Sequence, residues 1–261
     1  MTVRWIRAAI AATAALTLSL TGCGGTDDDP AVRDGGGRVT VFAAASLTES
    51  FTALGKDFEA AHPGTTVTFN FAGSSALATQ ITQGAPADVF AAASPATMKT
   101  VTDAGDAAGT PVTLVRNQLV IAVPKGNPGK VAGLADLAEP GVKVALCAEQ
   151  VPCGAAAKTA LGAAGVRLTP ATLEQDVKGA LAKVKLGEVD AALVYRTDVR
   201  AAADLAAVEF PESARAVNDY PIVVLKHAGN PDAARAFVDY VRSAAGRAVL
   251  TAAGFQAPQS Q

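Results

Sequence analysis

Strand-like and helix-like segments alternate along the chain from Arg38 onward. The stretch RVTVFA predicts a strand, and Leu47, Phe51, Leu54 and Phe58 follow it at helical spacing. This alternation is typical of an α/β protein with mostly parallel sheet and helices on both faces. A single sheet would need about nine or ten strands, near the upper limit for a twisted open sheet, so two smaller lobes are favoured.

A two-lobed chain of this kind has to cross between its lobes and return. The stretch around residues 112–119 is a candidate for the first crossing, and residues 220–223 are a candidate for the return. We therefore predict that residues 38–115 and 222–261 form lobe 1 and that residues 116–221 form lobe 2.

The N-terminal segment has the features of an export signal. Two arginines precede an apolar run at residues 8–20, which is too short for a comfortable transmembrane span. The motif LTGC then resembles the bacterial lipobox, which implies a signal peptide at residues 1–22 and a diacylglyceryl group on Cys23. Residues 23–37 would form a flexible, lipid-anchored tether. The alternative is an ordinary secretory signal with an incidental cysteine.

Two further cysteines, Cys147 and Cys153, are free to oxidise if the chain is exported. Five residues separate them, so a small-loop disulfide requires that the chain turn back on itself. Two buried thiols are the alternative.

Several kinds of chemistry are disfavoured by missing motifs. The sequence has no G-x-G-x-x-G after a strand, no P-loop and no G-x-S-x-G elbow. His62 and His227 lie in apparent turns, so a reactive serine would lack its usual proton acceptor. No His, Cys and carboxylate residues have metal-ligand spacing, and a net charge of −2 does not suggest nucleic-acid binding. We expect neither an enzyme nor a bound cofactor.

Small or hydroxyl residues recur where predicted helices begin. Ser46 follows FAAA, Ser74 and Ser75 follow FNFAG, and the stretches VPCGAAAK and LEQDVKGAL open two more helices. Helix N-termini carry unpaired N–H groups and about half a positive charge, so several that converge would bind an anion. The alternative for Ser46 is a capping box, in which Glu49 of SLTE reaches back to the helix start.

The assembled segments resemble, in order, the extracytoplasmic molybdate-binding proteins of ABC importers. The resemblance covers residues 38–261 and is carried by VTVFAAASLTESF, FNFAGSSALATQITQGAPADVFAAAS, AEQVPCGAAAK, EQDVKGALAKVKLGEVDAALVYRTD and YPIVVL. VFAAASL and GAPADVF together are specific to this family. The resemblance implies a type II periplasmic-binding-protein fold, in which two α/β lobes joined by two crossover hinge strands close over one tetrahedral oxyanion.

The family's ligand positions fall on five residues of this sequence. Lobe 1 would supply the hydroxyls and backbone N–H groups of two serines, and lobe 2 would supply two backbone N–H groups and one phenolic hydroxyl. In chain order these residues are Ser46, Ser74, Cys153, Val177 and Tyr195. Ser75 is the less favoured of the two adjacent serines. Relatives can carry alanine where this chain has Cys153, a change that a backbone donor tolerates.

The implied function is the capture of molybdate, and of tungstate, outside the cell membrane and its delivery to the membrane subunits of an ABC permease. The implied protein is a monomer held at the membrane through its lipid anchor, with the metal bound only as the oxyanion. The residues alone do not separate molybdate from sulfate or another tetrahedral oxyanion. A serine hydrolase is disfavoured because no base accompanies the serines.

Overall fold

The computed structural model describes residues 37–259. The predicted signal peptide, Cys23 and all of the predicted tether except Gly37 lie outside this range. No helix within the described range is both long and apolar enough to cross a membrane.

Strands and helices alternate as the sequence predicts. The strands are β1 Gly37–Ala44, β2 Thr65–Ala72, β3 Val89–Ala91, β4 Val112–Asn117, β5 Leu119–Pro124, β6 Val144–Cys147, β7 Thr172–Glu174, β8 Ala191–Tyr195, β9 Leu205–Val208 and β10 Asn218–Val224. The helices are α1 Thr48–Ala61, α2 Ser74–Thr82, α3 Pro95–Asp103, α4 Pro152–Ala164, α5 Val177–Lys185, α6 Arg196–Arg200, α7 Pro231–Arg242 and α8 Ala244–Ala252.

The strands form two sheets, which confirms the two-lobed α/β fold. Lobe 1 has the strand order β2-β1-β3-β10-β4, and lobe 2 has the order β7-β6-β8-β5-β9. Each sheet is mixed rather than mostly parallel. The reason is that β10 runs antiparallel to β3 and β4, while β5 runs antiparallel to β8 and β9. These are the strands by which the chain enters each lobe after crossing from the other.

The crossings lie at the ends of paired strands. The chain leaves lobe 1 after Asn117 and enters lobe 2 at Leu119, and it returns to lobe 1 with Asn218, which lies opposite Asn117. Residues 116–117 and 218–221, which the predicted boundaries gave to lobe 2, therefore pair within the sheet of lobe 1.

The apolar periodicity of α1 positions the helix on the sheet of lobe 1. Phe51, Leu54 and Phe58 are fully or almost fully buried, as their spacing predicts. Phe58 packs edge-on against Phe237 of α7, with 5.3 Å between ring centroids. This packing fixes the direction in which the start of α1 points.

One apolar residue was assigned to the wrong element. The stretch LEQDVKGAL was predicted to open a helix, but its first residue, Leu173, lies in β7 opposite Leu146 and its exposed fraction is 54%. The helix begins only at Val177, because the side chain of Asp176 accepts a hydrogen bond from the N–H of Gly179 and caps it.

Candidate binding site

All five residues predicted to bind a ligand line one cavity between the two sheets. Lobe 1 contributes two of them, one from the 3-10 turn at Ala45–Leu47 and one from the first turn of α2. Lobe 2 contributes the starts of α4 and α5 and the end of β8. The five are Ser46, Ser74, Cys153, Val177 and Tyr195. The cavity measures about 10 Å³, roughly the space of one water site, so the lobes lie close together around it.

Three helices begin at this cavity. Ser74 is the first residue of α2, Cys153 the second residue of α4 and Val177 the first residue of α5. The first N–H groups of a helix have no partner within the helix and lie at its positive end. The arrangement can therefore offer several main-chain donors to an anion without a cationic side chain.

Both serine hydroxyls lie against hydrogen-bonding neighbours in lobe 1. Ser74 Oγ accepts a hydrogen bond from the N–H of Ala93 at 2.9 Å, so its own proton is free to be donated. Ser46 Oγ lies 2.9 Å from the hydroxyl of Tyr220, which Asn117 Nδ2 approaches at 3.5 Å. If Asn117 donates to Tyr220 and Tyr220 to Ser46, the Ser46 proton is also directed to a ligand.

The capping-box interpretation of SLTE is wrong. Helix α1 begins at Thr48, its N-cap Leu47 makes no side-chain cap, and Ser46 lies in the preceding 3-10 turn. Glu49 contacts Lys178 of lobe 2 instead. The long-range partners of Ser46 and Glu49 replace the local capping bonds.

Tyr195 presents a buried hydroxyl without a protein partner. Only 1% of the residue is exposed, and among residues 37–259 its Oη has no hydrogen-bond partner within 3.5 Å. Burial raises the pKa of Tyr195 well above its usual value and the neighbouring Tyr220 hydroxyl raises it further, so the phenol stays protonated. A buried polar atom without a partner costs about 1–3 kcal/mol. Because Tyr195 lines the cavity, a ligand acceptor there would relieve that cost.

Asp176 is the one charged side chain among the described residues that line the cavity. Its Oδ1 accepts the N–H of Gly179 at 2.9 Å, which holds the carboxylate at the start of α5.

No group of three or more His, Cys, Asp or Glu residues in the described chain could hold a metal ion. The sequence reasoning missed Asp176 and Tyr220, although the capping pattern before Val177 could have indicated the former.

The lobes also touch beside the cavity. Ser75 does not line the cavity; its hydroxyl donates to the carbonyl of Gln150 in lobe 2. Gly73 lies against the carbonyl oxygen of Gln175, which a Cβ at Gly73 would overlap. These contacts join the start of α2 to the loops before α4 and α5.

A disulfide joins Cys147 at the end of β6 to Cys153 in the first turn of α4, with Cα atoms 5.8 Å apart. Of the two alternatives for these cysteines, the structure therefore contains the disulfide and not two buried thiols. The closed loop includes Gln150, so the bridge restrains both a cavity-lining helix start and a contact with lobe 1.

The sequence pattern of the bacterial extracellular solute-binding proteins matches residues 39–256. The chain belongs to this family. A family of solute-binding proteins acts by binding and release, so the serines at the cavity are not nucleophiles of an enzyme. The family description also places the folded part of this solute-binding protein outside the cytoplasm.

Individual relatives extend the comparison. The molybdate-binding protein ModA of Mycobacterium tuberculosis is 45% identical over 260 residues, which cover 98% of this solute-binding protein and 100% of ModA. The periplasmic molybdate-binding protein of Azotobacter vinelandii has a TM-score of 0.72 at 22% identity, over 85% of this chain and all of the other. The sulfate-binding protein SubI of M. tuberculosis has a TM-score of 0.69 at 19% identity, over 84% and 86%. These structural likenesses show the shared fold.

Proposed function

We propose that this solute-binding protein captures molybdate, and also tungstate, outside the cell membrane and delivers it to the membrane subunits of an ABC importer. The observation that carries the proposal is the buried, partnerless hydroxyl of Tyr195, which borders the same cavity as Ser46 and Ser74. The full-length similarity to a molybdate-binding protein supports the choice of oxyanion.

The geometry supports a binding mechanism in which both lobes hold one oxyanion. Ser46 and Ser74 of lobe 1 would donate through their hydroxyls and backbone N–H groups. Cys153 and Val177 would donate backbone N–H groups and Tyr195 its phenolic proton, all from lobe 2. Because the donors come from both lobes, ligand binding favours the closed arrangement and opening releases the ion. Neither a cofactor nor a second subunit has a part in this mechanism, and we propose that the protein is a monomer.

Sulfate is the second candidate ligand, because SubI shares the fold and sulfate shares the shape and charge of molybdate. The donors at the cavity suit either dianion. Titration calorimetry with molybdate, tungstate, sulfate and phosphate on a protein lacking residues 1–36 distinguishes them. If sulfate binds more tightly than molybdate, sulfate replaces molybdate as the proposed ligand.

The same titrations give a prediction about protonated anions. Hydrogen phosphate carries a proton that needs an acceptor, and most groups at the cavity are donors. An unpaired P–OH costs about 1–3 kcal/mol, so molybdate should bind about 5- to 150-fold more tightly than phosphate at neutral pH. Equal affinities would contradict this prediction. Asp176 is the one carboxylate of the described lining, and its Oδ1 is already occupied by the N–H of Gly179. The control is therefore Asp176→Asn: if Asp176 does not accept the phosphate proton, the ratio of the molybdate and phosphate affinities should be the same in the variant and the parent.

We also propose that the protein is anchored as a lipoprotein through Cys23, on the strength of the LTGC motif that ends its apolar N-terminal run. Cys23→Ala should block lipid attachment, so the protein becomes unanchored or remains unprocessed. Metabolic labelling with a radioactive fatty acid and membrane fractionation measure this. Membrane retention that is the same in parent and variant, without label in the parent, would exclude the anchor.

A further inference from the structure

Lys178 lies between two carboxylates that belong to different lobes. Its Nζ is 2.8 Å from both carboxylate oxygens of Glu49 in α1 of lobe 1 and 2.9 Å from Oδ1 of Asp198 in α6 of lobe 2. Among the ion pairs of residues 37–259, the Lys178–Glu49 pair is the one that joins the lobes. The Lys178 side chain is 25% exposed, so solvent screens it only in part.

Asp198 connects this lysine to the cavity. Its side chain is completely buried, and its Oδ2 accepts the backbone N–H of Tyr195 at 3.2 Å. Burial raises the pKa of Asp198 to about 6, against the lowering effect of Lys178, while the nearby Glu49 raises it further. The other titratable groups that it influences are the phenols of Tyr195 and Tyr220. The carboxylate therefore fixes the main chain of Tyr195 on one side and Lys178 on the other.

We propose that Lys178 is an interlobe latch, a positioning residue that holds the start of α5 against the start of α1 when the lobes close on the oxyanion. The proposal rests on the proposed function. Lys178 follows Val177 directly, and Glu49 lies three residues after Ser46, so the latch joins two elements that meet the ligand. When the lobes separate, Lys178 keeps Asp198 within lobe 2 and loses Glu49. The Glu49 contact therefore stabilises only the closed form.

Glu49→Gln tests the latch, because it removes the charge from lobe 1 without exposing Asp198. The matched control is Glu188→Gln, since Glu188 pairs with Lys183 of the same helix α5 and lies within lobe 2. The two glutamates are similarly exposed, at 52% and 49% of their side chains. The measurement is the release of radiolabelled molybdate into an excess of unlabelled molybdate, together with the association rate.

We expect about two- to fivefold faster release from Glu49→Gln, the effect of one partly exposed ion pair, with an unchanged association rate. Glu188→Gln should release molybdate as the parent does. Equal release rates in the parent and Glu49→Gln would overturn the latch. A parent that binds no molybdate would instead overturn the proposed function, and the latch is then tested by the same release experiment with the oxyanion that the calorimetry shows to bind.

Lys178→Met tests, in the apo protein, the other half of the proposal, namely that Asp198 holds Lys178 within lobe 2. The attraction between Lys178 and Asp198 exists only while Asp198 is ionised, which requires a pH above its pKa. Without the lysine, the pKa of Asp198 in the folded protein rises further above its unfolded value, so stability is lost as pH increases. The melting temperature of the variant should therefore fall further below that of the parent at pH 8 than at pH 5. Equal differences at both pH values would show that Lys178 is not coupled to Asp198 and would overturn the part of the proposal in which Asp198 positions the lysine.

Discussion

Replacing Gly73 with alanine is expected to weaken oxyanion binding by at least about 150-fold. The added Cβ would overlap the carbonyl oxygen of Gln175, which belongs to the main chain of the other lobe and cannot rotate away. The lobes would have to separate, and the ligand would lose donors of lobe 2. A hydrogen bond to a charged group contributes about 1.5–3 kcal/mol, so the loss of two gives about 3 kcal/mol or more.

The backbone of Gly73 does not itself require glycine, because its φ of −58° and ψ of 131° suit other residues. The effect should therefore appear in closure and not in folding. Titration calorimetry gives the affinity, and small-angle scattering should show that molybdate no longer makes the variant more compact. Gly162→Ala in α4 is the control, since a Cβ there would meet nothing within 4 Å. A Gly73→Ala protein that binds within threefold of the parent would contradict the steric explanation.

Tyr195→Phe is expected to weaken molybdate binding by about 10- to 150-fold. Phenylalanine keeps the buried ring, which packs edge-on against Tyr220 at 5.9 Å, and removes only the hydroxyl. The lost bond to a charged ligand is worth about 1.5–3 kcal/mol. The loss should appear mainly as faster release, because the donor acts once the lobes have closed.

The same substitution should leave the apo protein at least as stable as the parent, because it deletes a buried hydroxyl that has no protein partner. Calorimetric affinity and apo melting temperature are measured on the same preparations. The control is Tyr240→Phe in α7, which also removes a phenolic hydroxyl. Tyr240 packs against Phe58 within lobe 1 and does not line the cavity. An affinity within twofold of the parent would make Tyr195 a packing residue.

Local periodicity was sufficient to predict the elements that carry the site. The strand predicted from RVTVFA and the helical spacing of Phe51, Leu54 and Phe58 depend on which face is buried, and both appear in the structure on either side of Ser46. The ligand positions came from family resemblance, since one serine before a helix is equally compatible with a cap. The structure brings these residues to one cavity.

Contacts between distant parts of the chain could not be predicted in this way. Tyr220 lies 174 residues from Ser46, and Lys178 lies 129 residues from Glu49. No short motif records such pairs, because the first depends on the return of β10 to the sheet of lobe 1 and the second on the docking of the two lobes. The capping-box interpretation failed for the same reason, as Glu49 met a partner in the other lobe. Leu173 was misassigned because it precedes Val177 by four residues, a spacing that is also typical of one face of a helix.

In the proposed site, the side chain and the main chain of Cys153 have different roles. Its side chain forms a covalent bond to Cys147, while its proposed contribution to the ligand is a main-chain N–H. The side chain of Val177 is likewise buried in the apolar core. At such positions substitution can alter packing or cross-linking and leave the donor in place. Substitutions at Cys153 and Val177 can therefore change the packing of lobe 2 and keep the proposed donors, whereas at Tyr195 the proposed donor is the side chain itself.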